Sequence, residues 1–348
     1  MAALYIVTGA NGHLGNTICK LLIKDKKHVR GLILPGGSAK MLLDLGVEVV
    51  FGDVTKVASL EPLFDMGKET FSEVYVIHTA GIVSIATKKT PILELVNVHG
   101  TAHMIEVSMK HQVDRFIYVS SVHAILERPH DEVISEASHF HPDLVHGAYA
   151  KTKAEATQLV LDATKKGLKG IVVHPSGIIG PNDYGKTNMT MMIEDYMNNK
   201  LTSRVEGAYD FVDVRDVAQG ILGALNKGDV GACYILSGHH TELSHLFKLL
   251  KELSGKKRLI HVLPFWFAKL TIPLAELYYK LKKQSPIYSK YSLYTLKTNA
   301  HFSHDKATQT FNYQIRPLKE TLKDTITWLD TQKRLHRLKI LNFIRASK

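Results

Sequence analysis

A tyrosine and a lysine four positions apart are the residues of this 348-residue chain best suited to chemistry. Tyr149 and Lys153 share one face of a helix at this spacing. A tyrosine has an ordinary pKa of about 10 and is a poor base at neutral pH, but a neighbouring ammonium favours the phenolate and lowers the pKa. Taken alone, the spacing also suits a solvated helix face. The chemical interpretation predicts that Lys153 primes Tyr149 for proton transfer.

A glycine-rich segment near the start of the chain is the second candidate for function. A glycine at the end of a strand permits a tight turn, a second lets the backbone approach a pyrophosphate, and a third lets the following helix pack closely. The free amides and positive dipole end of that helix then face the anion. The segment predicts a dinucleotide site rather than a purely structural turn. It reads Thr8-Gly9-Ala10-Asn11-Gly12-His13-Leu14-Gly15.

Seven short apolar runs would form the strands that position these residues. In the first half of the chain they alternate with helical patterns, which is the sequence form of repeated βαβ units. Most of the runs are continuous, which suits strands buried on both faces. We therefore predict an α/β fold with a doubly wound parallel sheet of Rossmann type and a smaller, mainly helical C-terminal substrate lobe. The candidate strands are residues 4–8, 29–34, 47–51, 74–78, 115–120, 171–174 and 233–236.

The domain boundaries follow from where this alternation ends. It breaks down after residue 180, and helix-forming residues dominate from 242 to about 328. We expect a dinucleotide-binding domain over residues 1–180, to which 211–238 returns. Residues 181–210 and 239–328 form the predicted substrate lobe, and residues 329–348 form a basic C-terminal tail.

The TGxxGxxG spacing of the glycine segment resembles that of the short-chain dehydrogenase/reductase superfamily, specifically its extended branch, the NAD-dependent epimerase/dehydratase superfamily. The resemblance implies that Asp53 and Val54 contact adenine. It also implies that the segment after the fourth strand runs along the cofactor, and that Asn97 has a structural or proton-relay role. The supporting motifs are Gly52-Asp53-Val54, His78-Thr79-Ala80-Gly81 and Asn97-Val98-His99-Gly100-Thr101.

The resemblance also assigns roles to the reacting residues. In this superfamily the tyrosine exchanges a proton with the substrate oxygen, and the lysine also holds the nicotinamide ribose. A serine after a strand completes the set. Ser121, aligned with the second serine of the superfamily's pattern, is predicted to be catalytic together with Tyr149 and Lys153, and Ser120 is the alternative. Ser121 and Tyr149 would hydrogen-bond the carbonyl oxygen of a ketone or aldehyde while the nicotinamide delivers hydride to carbon.

Two further segments bear on the cofactor. His174 begins a segment that resembles the superfamily's RPxxIxGP segment beside the nicotinamide, with histidine in place of arginine. An acid after the second strand would bind the 2′-hydroxyl of NAD and repel the 2′-phosphate of NADP, but residues 29–40 contain none. Arg30, Ser38 and Lys40 can accept the phosphate, so NADP(H) is favoured and NAD(H) is the alternative. The predicted cofactor-binding residues are Thr8, Gly9, Asn11, Gly12, His13, Leu14, Gly15, Arg30, Lys40, Asp53, Val54, His78, Thr79, Ala80, Gly81, Asn97, Tyr149, Lys153, His174, Pro175, Gly177 and Ile178.

Two absences narrow the substrate class. Dehydratases typically carry an acidic pair just after the active-site hydroxyl, whereas Ser121 is followed by Val122-His123-Ala124. Epimerases often have an arginine in an RDFxHV segment that binds the pyrophosphate of a sugar nucleotide. Here that segment begins with Tyr209, and its later acids, Asp213 and Asp216, are expected to be structural. What remains resembles the dihydroflavonol reductase, cinnamoyl-CoA reductase and 3β-hydroxysteroid dehydrogenase group over residues 2–328.

This group implies an NAD(P)(H)-dependent oxidoreductase that reduces the ketone or aldehyde, or oxidises the secondary alcohol, of a hydrophobic small molecule such as a steroid or a phenylpropanoid. One alternative is a sugar-nucleotide epimerase or dehydratase of the same fold. The other is a non-catalytic NAD(P)-binding sensor or scaffold, which would need only the glycines and not the reacting residues. Candidates for an apolar substrate wall are Phe265, Trp266, Phe267, Leu270, Leu274, Leu277, Tyr278 and Tyr279.

Composition and charge exclude several other classes. The net charge is +11, but six basic residues lie in the last sixteen positions, so no broad basic surface for nucleic acid is expected. Only Cys19 and Cys233 are present, and neither a disulfide framework nor a metal site is predicted. The chain starts without the features of a signal peptide, and its most apolar stretch, 259–279, is interrupted by charged residues and prolines. We expect a cytoplasmic enzyme without a transmembrane span.

The basic tail is the remaining feature. Its six basic residues can contact an anionic membrane surface. The apolar residues between them spread around a helix rather than forming one stripe. This favours a terminal segment that packs on its own domain or on the second subunit of a homodimer, with at most weak, salt-sensitive peripheral attachment. The basic residues are Lys333, Arg334, Arg337, Lys339, Arg345 and Lys348.

Overall fold

Seven parallel strands form the central sheet, in a computed structural model that describes residues 2–67, 70–85, 90–255, 260–281 and 289–335. Each of the seven corresponds to one predicted strand, so the predicted sheet is confirmed. The strands are β1 (Ala2–Thr8), β2 (His28–Ile33), β3 (Glu48–Phe51), β4 (Phe71–His78), β5 (Arg115–Val119), β6 (Gly170–Pro175) and, later in the chain, β10 (Cys233–Leu236). They lie side by side in the order β10, β6, β5, β4, β1, β2, β3.

Side chains of the strands alternate between two apolar layers, one on each face of the sheet. Leu4 and Ile6 of β1 belong to the layer that contains α4 (Gly100–Lys110) and α5 (Ala148–Thr164). Tyr5 and Val7 belong to the opposite layer, which contains α1 (His13–Lys24) and α7 (Val214–Lys227). Because successive strand residues point to opposite faces, burial of both faces explains the continuous apolar runs. The fold is a doubly wound, Rossmann-type α/β sheet.

The remaining strands and helices are short or lie in the second half of the chain. A three-stranded sheet pairs β9 (Ala208–Asp213) with β7 (Gly177–Ile179) and β11 (His239–Glu242), and β8 (Ser203–Arg204) pairs with β12 (His261–Val262). None of these five was among the predicted strands. The other helices are α2 (Lys40–Asp44), α3 (Pro91–Glu94), α6 (Asn188–Met197), α8 (Leu243–Ser254), α9 (Phe265–Leu281), α10 (Lys290–Thr295), α11 (Asp305–Phe311) and α12 (Leu318–Thr331).

The C-terminal part of the chain is mainly helical, as predicted. Leu246 of α8 and Leu322 of α12 share an apolar cluster with α6, while Ala268 of α9 and Leu293 of α10 form a second, smaller cluster. Helix α11 differs from the expectation that residues 239–328 belong to the substrate lobe. Its Phe311 packs in the same apolar layer as α7 and β10. This segment therefore covers the sheet rather than the helical lobe.

The described part of the basic tail ends at residue 335 and packs on α6. Arg334 forms an ion pair with Glu194, and its Nη1 donates to the Asp183 carbonyl oxygen at 3.0 Å. Leu335 is buried in the cluster that α6, α8 and α12 share. The start of the tail thus packs against its own chain. The other four basic residues of the tail lie outside the described residues, and they are Arg337, Lys339, Arg345 and Lys348.

Neither a membrane-spanning helix nor a metal cluster occurs in the part of the chain that the structure describes. No helix there is long and apolar enough to cross a bilayer. No group of three or more histidine, cysteine or acidic side chains is arranged there to hold a metal ion. Cys19 and Cys233 are buried free thiols.

Candidate active site

The order of the strands reverses between β1 and β4, and the segments that carry most of the predicted site residues follow these strands. From β1 the sheet continues through β2 to β3, whereas β4 is followed on its other side by β5 and β6. In open parallel sheets, ligands bind in the crevice outside the carboxyl ends of the strands at such a reversal. Thr8, His78 and Val119 are the last residues of β1, β4 and β5. The segments that follow them therefore line one crevice.

Three glycines shape the turn between β1 and α1. Gly9 has a φ of +66°, and a Cβ at this position would lie 2.9 Å from the Ala80 Cα. A Cβ at Gly15 would lie 2.2 Å from the Gly9 carbonyl oxygen, so only glycine allows α1 to pack this closely. Helix α1 begins after Gly12 with no acid in its first turn and, within the described residues, no side-chain cap. Its first amides are thus available to an anion, and the turn fits the pyrophosphate of a dinucleotide.

The other residues of this turn hold it against its surroundings. The side chain of Asn11 lies beside the turn after β2, where a Cβ at Gly37 would be 2.9 Å from the Asn11 Nδ2. His13 Nε2 lies 3.0 Å from the Pro181 carbonyl oxygen, and burial lowers the pKa of His13. Leu14 is buried in the apolar layer that α1 shares with α7. The His13 and Leu14 side chains therefore support the turn, while their backbone amides lie at the helix start.

His78 joins β4 to β1 and α4 through its side chain. Its Nδ1 lies 2.7 Å from the Thr8 Oγ1, and its Nε2 lies 3.1 Å from the Thr101 Oγ1. Burial lowers the pKa of His78 to about 3, so the imidazole is neutral. Thr79 Oγ1 donates to the Thr8 carbonyl oxygen at 2.6 Å, and the Ala80 amide donates to the Thr8 Oγ1 at 3.1 Å. The side chains of His78 and Thr79 thus brace the loop, which leaves its backbone to border the crevice.

Asn97 holds the continuation of this loop against α5. It lies in a π-helical turn, Leu95–His99, of the kind often found at functional sites. Its side chain accepts from the Ile82 amide at 2.8 Å and donates to the Ile82 carbonyl oxygen at 3.0 Å. Its Nδ2 also donates to the Thr152 Oγ1 at 3.2 Å, one residue before Lys153. A Cβ at Gly81 would lie 3.7 Å from the Lys153 Nζ, so this loop approaches the lysine closely.

The two consecutive serines after β5 have different partners. Ser120 Oγ lies 2.6 Å from the Thr157 Oγ1 on α5, and the pair is buried. Burial raises the pKa of Tyr149 to about 12, and the nearby Ser121 hydroxyl opposes this rise. The His123 amide also donates to the Ser121 Oγ, at 3.3 Å. Ser121 and Tyr149 therefore present neighbouring hydroxyls, and Tyr149 is a neutral phenol at physiological pH.

Lys153 is buried one helical turn after Tyr149. Its Nζ donates to the Val119 carbonyl oxygen at 2.7 Å and to the Tyr118 hydroxyl at 3.1 Å, and it lies 4.6 Å from the centroid of the Tyr118 ring. Burial lowers the pKa of Lys153 to about 7. The expectation that Lys153 lowers the pKa of Tyr149 is thus corrected, because burial disfavours the charged form of both groups.

His174 lies at the end of β6, behind Ser121. Its Nδ1 is 3.0 Å from the Ser121 carbonyl oxygen, and its ring stacks on Phe140 with centroids 5.1 Å apart. Burial lowers the pKa of His174 to about 4, and its Nε2 is buried without a hydrogen-bond partner among the described residues. Pro175 ends β6, and Gly177 and Ile178 begin β7. His174 therefore supports the Ser121 backbone, and its place beside the nicotinamide stays a prediction.

Asp53 and Val54 follow β3. Asp53 Oδ1 accepts from the amide of Thr55 at 2.9 Å and from the hydroxyl of the same residue at 2.8 Å. Val54 is buried against α4, where a Cβ at Gly100 would lie 2.7 Å from a Val54 methyl group. Asp53 is half-buried and stands at the carboxyl edge of the sheet.

Arg30 does not join this set. It lies in the middle of β2, and its Nε is 2.8 Å from the Glu48 Oε2. Its Nη1 donates to the carbonyl oxygens of Leu63 and Asp65, each at 2.8 Å. The prediction that Arg30 accepts the 2′-phosphate is therefore corrected, because its guanidinium is buried and bound within the fold. Lys40, at the start of α2, is exposed.

A group of aromatic side chains beside Tyr149 was missed as part of the site. The Tyr209 hydroxyl is 2.6 Å from the His123 Nε2, and the His123 ring lies 6.3 Å from that of Tyr149 and 6.0 Å from that of Tyr291. Burial lowers the pKa of His123 to about 4, so this histidine is neutral. Gly147, with φ +99°, leaves room for Tyr291, whose ring a Cβ there would approach to 2.2 Å. His123 and Tyr209 occupy the two positions at which the sequence differs from dehydratases and from epimerases. This difference is the sequence feature that could have identified them as part of the site.

The apolar substrate wall expected on α9 stays a prediction, and four of its members lie at the surface. Trp266, Phe267, Leu270 and Leu274 are exposed to solvent. Phe265 instead packs with the cluster of Ala268 and Leu293. The side chains of Leu277, Tyr278 and Tyr279 lie outside the described residues. Asp213 and Asp216 are structural, as expected, in ion pairs with Arg215 and Arg316.

Comparison with known proteins gives consistent matches. Residues 5–236 match the family model described as the NAD dependent epimerase/dehydratase family. The chain is 30% identical to sterol demethylase protein B of Methylococcus capsulatus, over 73% of this chain and 75% of that protein. It is 26% identical to 3 beta-hydroxysteroid dehydrogenase type 7 of Mus musculus, over 94% of this chain and 95% of that protein. The crystal structure of gox2253 has a TM-score of 0.81 at 27% identity, and the match covers 96% of this chain and 99% of that chain.

Proposed function

The chain belongs to the NAD dependent epimerase/dehydratase family and is an NAD(P)-dependent oxidoreductase of the extended short-chain dehydrogenase/reductase type, and we propose that it acts on a hydrophobic small molecule such as a steroid or a phenylpropanoid. It reduces a ketone or aldehyde of that molecule, or oxidises the corresponding secondary alcohol. The observation that carries this proposal is the buried Tyr149 hydroxyl beside the Ser121 hydroxyl, with Lys153 one helical turn away. These groups lie at the carboxyl edge of the sheet, beside the glycine turn.

Tyr149 is the proton donor in the reduction. Its pKa of about 12 keeps it protonated at neutral pH, so it can give its proton to the carbonyl oxygen as that oxygen becomes an alkoxide. Ser121 donates a second hydrogen bond to the same oxygen and stabilises the developing charge. A bound nicotinamide supplies the hydride for the carbonyl carbon. In the oxidation the Tyr149 oxygen takes the proton from the alcohol.

Lys153 stabilises the phenolate that Tyr149 becomes after the transfer. With a pKa of about 7, it is present in both protonation states near neutral pH, and a nearby anion favours the charged state. Lys153 would also hold the nicotinamide ribose of a bound cofactor; in the structure its Nζ donates to the Tyr118 hydroxyl and the Val119 carbonyl oxygen. Asn97 and Thr152 hold α5 against the loop of Gly81 and so fix the place of Lys153.

The cofactor is held by the turn after β1 and the segments beside it. Gly9, Gly12 and Gly15 with the first amides of α1 would bind the pyrophosphate, and Asp53 would contact the adenine end. Residues 175–178 would lie beside the nicotinamide. The uncapped start of α1, as far as the described residues go, supports this assignment.

NADP(H) is the preferred cofactor in this proposal. Leu34, at the carboxyl end of β2, is 60% exposed, and no acid occurs from residue 31 to 43 to bind a ribose 2′-hydroxyl. Ser38 and Lys40 are exposed on the following loop and can accept the 2′-phosphate. Lys40→Ala should weaken NADP(H) binding about fivefold and leave NAD(H) binding unchanged in titrations at equal ionic strength. Lys24→Ala is the matched control, because Lys24 is also exposed but lies at the C-terminal end of α1. Equal or tighter binding of NAD(H) by the wild type contradicts the preference.

The substrate side of the proposal depends on the aromatic group. The neutral His123 ring contacts the Tyr149 ring, and the rings of Tyr209 and Tyr291 contact His123 in turn. Tyr209 stands where a sugar-nucleotide epimerase would carry its arginine, and the loss of that bidentate cation disfavours a diphosphate substrate. An apolar, ring-containing carbonyl compound matches these surroundings better.

A substrate screen tests the proposal. The protein is mixed with NADPH or NADH and a panel of steroid ketones, phenylpropanoid aldehydes and sugar nucleotides, and cofactor absorbance is followed. Consumption with the hydrophobic carbonyl compounds is expected. Turnover of sugar nucleotides alone would point to an epimerase or dehydratase. Cofactor binding without consumption across the panel would point to a sensor.

A further inference from the structure

Helix α9 has two unlike sides. On the inner side, Ala268 and Ile272 are buried against Leu293 of α10. On the outer side, Trp266, Leu270 and Leu274 follow one another at four-residue intervals. Their exposed fractions are 68%, 67% and 71%. Three large apolar side chains in a row on the surface of one helix form a continuous patch, which in other proteins marks an interaction site. The outer side of α9 is thus an apolar face that lacks a covering element among the described residues.

The surroundings of this face are basic. The nitrogen of Lys269 lies 5.3 Å from the ring centroid of Phe265, and that of Lys297 lies 3.9 Å from the same centroid. Both lysines are exposed. In the sequence, residues 256–297 contain nine lysines and arginines and one acid, Glu276, and the structure describes the side chains of three of these basic residues, Lys269, Lys290 and Lys297. Outside the tail, this stretch has the largest excess of basic over acidic residues in the chain. The basic residues occur both before and after the apolar residues of α9 in the sequence.

An apolar face with basic residues around it favours one kind of partner. A second copy of the chain would bring an equally basic face against this one, and like charges oppose such an interface. An anionic bilayer offers an apolar interior to the leucines, an interfacial zone that tryptophan favours, and phosphates for the lysines. We propose that the outer side of α9 docks on an anionic lipid bilayer, with Trp266, Leu270 and Leu274 entering the headgroup region.

Docking through α9 is distinct from attachment through the tail. The first residues of the tail are held on α6 by Arg334 and Glu194, and they lie on a different cluster from α9. A chain that ends at Leu335 keeps this anchor and removes the remaining basic residues. It should bind vesicles nearly as well as the full chain.

Vesicle sedimentation of the full chain tests the proposal. Vesicles of phosphatidylcholine with about 30% phosphatidylserine should bind the wild type, and a triple variant, Trp266→Ser, Leu270→Ser and Leu274→Ser, should lower the partition coefficient at least tenfold. These side chains are exposed, so the fold should tolerate the changes. The matched control removes three exposed apolar side chains elsewhere, Leu43→Ser, Val133→Ser and Val230→Ser, and should bind like the wild type.

Two further measurements complete the test. Lys269→Glu should weaken binding to anionic vesicles more than Lys24→Glu, and pure phosphatidylcholine vesicles should bind the wild type less than the mixed vesicles. The proposal is overturned if the wild type does not bind the mixed vesicles or if the triple variant binds as well as the wild type. It is also overturned if light scattering without lipid shows a wild-type dimer that the triple variant dissociates, because the face would then be an interface between copies.

Discussion

Replacing Tyr149 by Phe removes one hydroxyl from a ring that stays in place. The ring packs with Leu93 and Ala148, and these contacts do not need the oxygen. Loss of the interaction with Ser121 costs at most about 1 kcal/mol of unfolding free energy, so the variant should fold. The lost proton donor should lower kcat about 10²- to 10⁴-fold. This corresponds to roughly 2.7 to 5.5 kcal/mol of activation free energy, several times the structural cost.

The assay follows cofactor absorbance with the substrate found in the screen, and a fluorescence titration gives the cofactor Kd. The Kd should be nearly unchanged, because no hydroxyl that holds the cofactor is removed. Tyr234→Phe is the matched control. It is also a buried tyrosine, on β10, whose hydroxyl accepts from the Asp229 amide at 3.0 Å. It should lose a similar amount of stability and keep its kcat.

Retention of more than about a tenth of the wild-type kcat by Tyr149→Phe would refute the assignment of Tyr149 as the proton donor, since general-acid removal costs about 10²-fold or more. A thermal unfolding midpoint close to that of Tyr234→Phe shows that a measured loss of kcat does not come from unfolding. A large loss of cofactor affinity would instead mean that the hydroxyl serves binding.

Three further predictions concern neighbouring residues. Ser121→Ala should lower kcat at least tenfold. Ser120→Ala loses only the bond to Thr157, so it should keep kcat within about threefold and lose about 1 kcal/mol of stability. Similar kcat values for the two variants would contradict the assignment of Ser121 as the catalytic serine. Gly15→Ala should weaken cofactor binding at least tenfold in titrations, because its Cβ would lie 2.2 Å from the Gly9 carbonyl oxygen and displace α1. Burial lowers the pKa of Lys153 from 10.5 to about 7, so the folded protein releases this proton near pH 7 while the unfolded chain keeps it up to about pH 10.5. Stability should therefore rise by about 2 kcal/mol from pH 7 to pH 9 in the wild type and not in Lys153→Met, as measured by urea unfolding, and parallel curves would exclude this linkage.

The strands and the glycine turn were predictable from the sequence because each depends on local rules. A strand buried on both faces needs apolar residues at every position, and Leu4 to Val7 of β1 satisfy this by alternating between the two layers. The turn needs a positive φ and a close helix start, which residues within a few positions of one another decide. The spacing of Tyr149 and Lys153 is a property of one helix, so it too could be identified without a tertiary structure.

The tertiary structure decided which neighbours those residues meet. The two consecutive serines after β5 face different parts of α5, and only the folded chain shows that Ser120 bonds Thr157 and that Ser121 lies beside Tyr149. The His123–Tyr209 contact joins residues 86 positions apart, a separation at which no local pattern constrains the distance.

The tertiary structure also decided the protonation states of the site residues and which side of α9 is exposed. Sequence reasoning expected Lys153 to lower the pKa of Tyr149, but removal of both groups from water moves each toward its neutral form. Helix α9 has apolar residues on both sides, so its sequence alone does not say which side is covered. The packing of Leu293 of α10 against Ala268 decides it, because a helix can bury only the side that its neighbour reaches, and the side with Trp266 is left facing outward.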